Sequence, residues 1–261
     1  MMMNQQERAL WLIRALMKDM PQYGEVPIPA LPPQRWQLLR SLMNLRPPLP
    51  ASDEFLQVQD AFLGQMTAEK GIVDASALPP VPVDGRLVLW QGDITTLRCD
   101  AIVNAANSQL LGCFSPCHGC IDNIIHTMAG VQLRLACHEL MLRQGHEEPA
   151  GQAKCTPGFD LPAKYVLHTV GPIVDGPLTG QHEETLASCY RSCLRLAAER
   201  GLRSLAFCCI STGVFRFPAR RAAQIAVQTV KEALQKADCP QTVIFNVFKD
   251  SDLQIYRELL A

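Results

Sequence analysis

The sequence has almost no net charge, no long apolar run, no internal repeat and no low-complexity tract. With 24 Lys and Arg against 25 Asp and Glu its formal charge is −1, so no overall field draws it toward nucleic acid or an anionic membrane. An anionic ligand must therefore be held by local groups. Apolar stretches such as 205–210 fall far short of the roughly 20 residues that a membrane-spanning helix needs. The N-terminal stretch scatters Gln5, Gln6, Glu7, Arg8, Arg14, Lys18 and Asp19 through its length, which is not the basic start and apolar core of a signal peptide. What is abundant is cysteine, eleven in all. Without an export signal, these are expected as thiols in a reducing compartment, the cytoplasm, rather than as a disulfide framework. Cys189, Cys193, Cys208 and Cys209 sit in apolar patterns and read as small core residues.

At 261 residues and 48% hydrophobic content, the chain can bury one good-sized core and carry a smaller appendage. Residues 1–80 read as that appendage, short helices separated by proline. Leu10, Ile13, Met17 and Met20 lie at helical spacing, and the prolines from Pro21 to Pro33 stop that helix. A second helix carries Trp36, Leu39, Leu42 and Met43; a third starts at Ser52, with Asp53 and Glu54 at the positive end of its dipole and Phe55, Val58, Phe62 and Met66 on its apolar face. After the proline-rich connector 78–82, the main unit 86–261 alternates apolar strands (87–90, 101–103, 165–170, 204–210, 243–248) with helices (122–143, 183–200, 218–237, 252–260). Such alternation predicts an α/β fold with a mixed, largely parallel sheet covered on both faces, and a ligand site at the carboxyl ends of its strands.

Three of the loops after those strands carry chemistry. Gln91-Gly92-Asp93-Ile94-Thr95 offers a carboxylate in a short turn, which could accept from an exocyclic amine or simply cap the turn. Asn104-Ala105-Ala106-Asn107-Ser108 places two amides just past a strand, and Gly112-Cys113-Phe114-Ser115-Pro116-Cys117-His118-Gly119-Cys120 follows with three thiols and one imidazole in nine positions. Thiolate and imidazole are the ligands that zinc prefers. Adjacent Cys117 and His118 point in different directions in most backbone conformations, so three ligands and an open position are favoured, which describes a catalytic ion; a fourth thiolate from Cys117 stays an alternative. The third loop, Ser211-Thr212-Gly213-Val214-Phe215-Arg216-Phe217-Pro218, runs into a helix. Its hydroxyls, its glycine and the free amides at a helix N-terminus suit a phosphate.

The strings Gly92-Asp93-Ile94-Thr95, Ala101 through Ser108, His168-Thr169-Val170-Gly171-Pro172 and Ile210 through Phe215, in that order, resemble the macrodomain family over about 86–260. The resemblance implies a three-layer α/β/α fold that binds ADP-ribose. It assigns Asp93, with Ile94 alongside, to the adenine amino group; Asn107 to the distal ribose; and Ser211, Thr212, Gly213, Val214 and Phe215 to the diphosphate. Phe248, at the end of the last strand, falls where related modules place an aromatic ring over the adenine, although a core role is equally open. Most macrodomains carry a glycine run before a Val-Asp pair, where this chain has 113–120 and then Ile121-Asp122. That departure, like the helical extension, resembles the zinc-containing branch, whose metal ligands map to Cys113, His118 and Cys120. Cys117 falls at a position the branch does not use.

The resemblance implies a hydrolase that removes mono-ADP-ribose from modified protein side chains with a catalytic Zn2+ and with Asn107 facing the ribose; Asp122, one turn from the thiol-rich loop, is the candidate to orient or deprotonate the attacking water. The alternatives are an O-acetyl-ADP-ribose deacetylase and a reader that binds ADP-ribose without cutting it. The implied partners are a mono-ADP-ribosylated protein, a lipoylated carrier protein among the options, and a sirtuin-like ADP-ribosyltransferase acting in the opposite direction. His126 and His168 read as structural histidines.

Overall fold

The structure, a computed structural model, describes residues 3–235 and 240–261. The last residues of the helix expected over 218–237 lie outside the described residues.

Three helices open the chain. Helix α1 (Gln5–Asp19) begins with a capping box: the Asn4 side chain accepts from the Gln6 and Glu7 amides while the Glu7 carboxylate accepts from the Asn4 amide. Its buried stripe centres on Leu12 and Leu16, between the apolar positions that spacing alone singles out. Helix α2 (Pro32–Leu45) takes two prolines into its first turn, where no N–H is needed, so residues that end one helix start the next. In helix α3 (Asp53–Lys70), Ser52 Oγ accepts from the Phe55 amide. Trp11 packs at a tilt against Phe55 and Trp36 against Phe62, tying α1 and α2 to α3.

The remaining elements are β1 (Val73–Asp74), β2 (Pro80–Val81), β3 (Asp84–Gln91), β4 (Leu97–Arg98), β5 (Ala101–Ala106), α4 (Ile121–Met128), α5 (Val131–Gln144), β6 (Ala153–Pro157), β7 (Tyr165–Val170), α6 (Gly180–Glu199), β8 (Ser204–Phe207), α7 (Ala219–Ala233), β9 (Thr242–Val247) and α8 (Asp250–Leu259). Seven strands form one sheet in the order β2-β3-β9-β8-β5-β7-β6. The five inner strands are parallel, and β2 and β6 close the edges antiparallel. Helices α6, α7 and α8 pack in succession as one layer; α4 and α5 form the other, with α2 against α4. The short strands β1 and β4 pair separately.

Three differences separate the structure from the sequence reading. The helix expected over 122–143 is two helices, because Gly130 adopts φ +84° and Gln59 of α3 caps the restart by accepting from the Val131 amide at 2.9 Å. A Cβ at Gly130 would lie 2.2 Å from Gln59 Nε2, so the break is set by a partner 72 residues away. The edge strand β6 ends in Pro157 and is mostly half-buried, leaving little periodic signal. The strand expected over 204–210 leaves the ladder at Phe207.

Apolar side chains from α1–α3 and from the sheet unit join one continuous core. Their polar seam holds a carboxyl pair, Asp60 of α3 and Asp160. Burial first, then hydrogen bonding and repulsion from Asp60, push Asp160 well above the ordinary carboxylate range, opposed by Gln59. A carboxyl that holds its proton more tightly when folded stabilises the protein below its unfolded pKa. That contribution is lost as pH rises through the folded value. The buried histidines, whose pKa values burial lowers, act in the opposite direction, so the pair is read as a difference: in urea unfolding, the stability of wild type relative to Asp60→Asn should decline from about pH 4 upward, by on the order of 1–2 kcal/mol after screening. An equal slope in the variant would rule out this pair as the source.

Candidate functional site

Because the five inner strands run parallel, their carboxyl ends share one edge of the sheet, and the loops that carry chemistry emerge there. Gly92, just past β3, donates its amide to Val247 O at the end of β9 at 3.1 Å, and Asn246 Nδ2 returns a bond to Gly92 O at 3.0 Å. The first loop and Phe248 are thereby neighbours. The Phe248 ring is 76% exposed, which removes the core alternative.

Asp93 does cap its own turn. Its Oδ1 accepts from the Thr95 amide at 3.0 Å and the Thr95 hydroxyl at 2.6 Å, and Oδ2 accepts from Lys70 Nζ of α3 at 2.8 Å. Burial raises its pKa, but the Lys70 and Thr95 bonds and the Lys70 charge outweigh it, leaving a carboxylate below its usual range. Beside it, Ile94 is buried.

The third loop is built differently from its sequence reading. Its left-handed residues are Ser211 (φ +64°) and Arg216 (φ +59°) rather than Gly213. Phe217 N closes the loop on Ser211 O at 3.0 Å, and Val174 N bonds Phe215 O at 2.9 Å. Helix α7 starts only at Ala219, with Pro218 as its cap, so the amides offered to an anion belong to the loop rather than to the helix. The amides of Ser211, Thr212, Gly213, Val214 and Phe215 make no backbone hydrogen bond of normal geometry among the described residues. The string around Gly171 matters here, since a Cβ at Gly171 would sit 2.0 Å from Ser211 Oγ.

The thiol-rich loop bends back on itself before α4. Cys113 Sγ lies 3.8 Å from His118 Nδ1, and the ligand atoms of Cys113, His118 and Cys120 all fall within 4.8 Å of one another. Cys117 is excluded. Its left-handed φ of +53° turns its thiol toward α2, where Gln37 O accepts it at 3.3 Å and Ser41 Oγ lies at 3.3 Å. The donor set is thus two thiols and one imidazole, which fits zinc with a free position. Burial pushes the Cys120 thiol up to about 11; the Asn123 amide opposes this and Cys113 adds to it. A divalent cation between the thiols would reverse that balance through its own charge.

Next to this loop, Asp122 is buried in the first turn of α4. Asn104 Nδ2 donates to its Oδ1 at 2.8 Å and Asn107 Nδ2 to its Oδ2 at 3.4 Å. Burial lifts the carboxyl to about 6, with Asn104 and Arg134 opposing. Asn107 Nδ2 also donates to Gly112 O at 3.1 Å, linking the carboxylate to the thiol-rich loop. His168 is satisfied in the core: its Nδ1 takes the Asn104 amide at 3.2 Å and its Nε2 meets Thr156 Oγ1 at 2.9 Å. Burial drives it to about 3, keeping it neutral. His126 is also buried; its ring nitrogens make no hydrogen bond, and its Nε2 lies 3.5 Å from Asp122 Oδ1, one turn earlier on α4.

Several residues of this site were not singled out from the sequence. Lys70 reaches Asp93, and Arg134 Nε holds Leu111 O at 2.7 Å with its guanidinium 4.2 Å over the Phe114 ring. Arg40 and Asn44 of α2 bond the thiol-rich loop. The one local signal is that Arg40 and Asn44 are four apart, on one face of a helix.

The Macro domain family model matches residues 103–226. A Treponema medium protein named protein-ADP-ribose hydrolase is 53% identical over 99% of this chain and 100% of its own length. A Staphylococcus aureus protein of the same name is 53% identical over 86% of this chain and 84% of its own. Among solved structures, a Trypanosoma brucei macrodomain in complex with ADP-ribose is 30% identical, covering 85% of this chain and 95% of that one with a TM-score of 0.66.

Proposed function

The chain belongs to the macrodomain family, and on that premise we propose that it is a zinc-dependent hydrolase removing mono-ADP-ribose from modified protein side chains. The names of the Treponema and Staphylococcus relatives support the hydrolase. The observation that carries the zinc-dependent reading is that Asn107 bonds both the thiol-rich loop and the buried Asp122, putting a metal donor set beside a carboxylate. A reader of ADP-ribose has no need of that pairing. The substrate is a mono-ADP-ribosylated protein.

In this reading Asp93 accepts from the adenine amino group, Ile94 walls the purine, and the exposed Phe248 ring stacks on it. The amides of Ser211 through Phe215 hold the diphosphate without a net basic surface. Asn107 orients the distal ribose. Asp122 accepts a proton from the water that attacks the anomeric carbon; the bond from that carbon to the linking side-chain atom breaks, and the proton that Asp122 took up goes to the leaving atom, so that Asp122 ends as it began. Cys113, His118 and Cys120 would hold Zn2+, which when bound supplies Lewis-acid polarisation of an oxygen.

The test is elemental analysis of the purified protein alongside release of ADP-ribose from a singly modified protein. About one equivalent of zinc is expected, lost in a Cys113→Ala, Cys120→Ala double variant. Cys117→Ala should keep its zinc, because that thiol faces α2. Full metal content in the double variant, or no release by wild type from any modified protein, would overturn the proposal.

Asp93→Ala should weaken ADP-ribose binding by about 1–3 kcal/mol in calorimetric titration, because a charge-assisted acceptor is lost. Zinc content should not change. Unaltered affinity would remove Asp93 from the adenine site.

A further inference from the structure

The N-terminal helices reach the thiol-rich loop through a small set of buried polar contacts that the catalytic reading does not use. Asn44 of α2 is only 1% exposed. Its Oδ1 accepts from the Cys117 amide at 2.9 Å, and its Nδ2 donates to Thr127 Oγ1 of α4 at 2.9 Å. One turn earlier, Arg40 Nη2 donates to His118 O at 2.7 Å and to Asn123 Oδ1 at 2.7 Å. Asn123, fully buried, donates through Nδ2 to Cys113 O at 3.2 Å and Ser115 O at 2.9 Å, and its own amide donates to Cys120 Sγ at 3.4 Å. Every ligand-bearing stretch of the loop is therefore tied down within one web: Cys113 and His118 by their carbonyls, Cys120 by its sulfur.

The web acts where the backbone is least comfortable. Cys117 holds φ +53°, a region that L-residues disfavour, and the next residue is the histidine of the donor set. If Cys117 relaxed to an ordinary conformation, the chain direction at His118 would change and its ring would leave the two thiols. The Cys117 amide gives its hydrogen bond to Asn44 only while the left-handed turn persists. A buried asparagine left without that partner bears the cost of an unpaired polar group.

We propose that α2 is the positioning element of the metal centre, with Asn44 and Arg40 as positioning residues that hold the loop in its ligating conformation. The inference rests on the reading that Cys113, His118 and Cys120 bind metal. It gives the N-terminal extension a role in metal affinity: the loop is organised by the extension and need not be ordered by the ion.

The experiment uses the full-length protein, with Zn2+ affinity from chelator competition, thiolate-ligated Co2+ absorption as the geometric readout, and circular dichroism with thermal unfolding as the fold check. Asn44→Ala should weaken Zn2+ binding by about 10–100-fold, the usual scale for groups that orient metal ligands, and alter the Co2+ bands. Arg40→Met, at a half-buried position and therefore safer for folding, should act in the same direction. Two further variants separate positioning from general packing. Thr127→Val removes the other partner of Asn44 but leaves the Cys117 contact, so it should lower thermal stability and keep the Zn2+ affinity. Adding Cys117→Gly to Asn44→Ala should recover part of the lost affinity, since glycine adopts the left-handed turn without a tether. Wild-type affinity and Co2+ bands in both Asn44→Ala and Arg40→Met would overturn the proposal, as would a loss in Thr127→Val equal to that in Asn44→Ala. Failure of the wild type itself to bind Zn2+ or Co2+ through Cys113, His118 and Cys120 would overturn the metal reading and this proposal with it.

Discussion

Stripping the metal, by chelation or by His118→Ala, is expected to cost at least about a hundredfold in the rate of ADP-ribose release, on the order of 3 kcal/mol. The affinity for free ADP-ribose should stay within about tenfold of wild type. The asymmetry follows from where the contacts lie. Asp93 and Phe248 stand at the ends of β3 and β9, and the 211–215 loop follows β8. The donor cluster belongs to the loop between β5 and α4. In the proposed reading, adenine and diphosphate contacts would therefore not pass through it, whereas an ion held by Cys113, His118 and Cys120 would supply stabilisation mainly of charge that develops as the anomeric bond breaks. The comparison needs release kinetics and calorimetric binding on the same folded preparation. Equal losses in both would mean that the loop merely collapses without its ion, and the catalytic role assigned to it would fail.

Asp122→Asn should lower the release rate by about 10²–10⁴-fold, the range for losing a positioned general base. The change is nearly isosteric. The buried side chain can still offer an oxygen to Asn104 Nδ2, so zinc content and thermal stability should be close to wild type. Asp122→Ala removes one of the two partners of the Asn104 amide as well, leaving it only His168, and should add a loss of stability of about 1–3 kcal/mol from the buried N–H that loses its acceptor. Release by Asp122→Asn at the wild-type rate, measured on the same modified protein, would exclude Asp122 as the base. Wild-type release with weakened ADP-ribose binding would make it a binding residue instead.

Much of the fold was legible because its signals are local. Strand β7 matches its reading at both ends, since Tyr165, Val166, Leu167, Thr169 and Val170 are all residue types that suit a pleated strand. Ser52 caps α3 as its hydroxyl implies. The single helix read over 122–143 was not correct, because the apolar pattern runs through Gly130 and the break depends on Gln59, a residue of another helix. Likewise the left-handed positions of the phosphate-suited loop fall on Ser211 and Arg216. Composition pointed to Gly213, yet closure of the loop on Ser211 O places the strain elsewhere. For Phe248, periodicity could not separate a ring in the core from a ring over a ligand, and only its position beyond the last residue of β9 exposes it.

What the sequence by itself determined is the inventory of groups and their order: a carboxylate after one strand, then two asparagines, a thiol-rich loop and a second carboxylate in succession, then an amide-rich turn. Asn104, expected just past its strand, instead lies buried within β5, because the ladder to β7 continues through Ala106. The few residues between Cys113, His118 and Cys120 allow them to meet at one point. Tertiary structure decided which of the donors face one another. Cys117 is adjacent to His118 in the chain, yet its amide bonds Asn44 and its thiol faces Gln37 and Ser41, all on a helix more than 70 residues earlier. Side-chain direction in a loop is set by φ and ψ, and those angles answer to whichever distant partner satisfies the backbone, which no local pattern encodes.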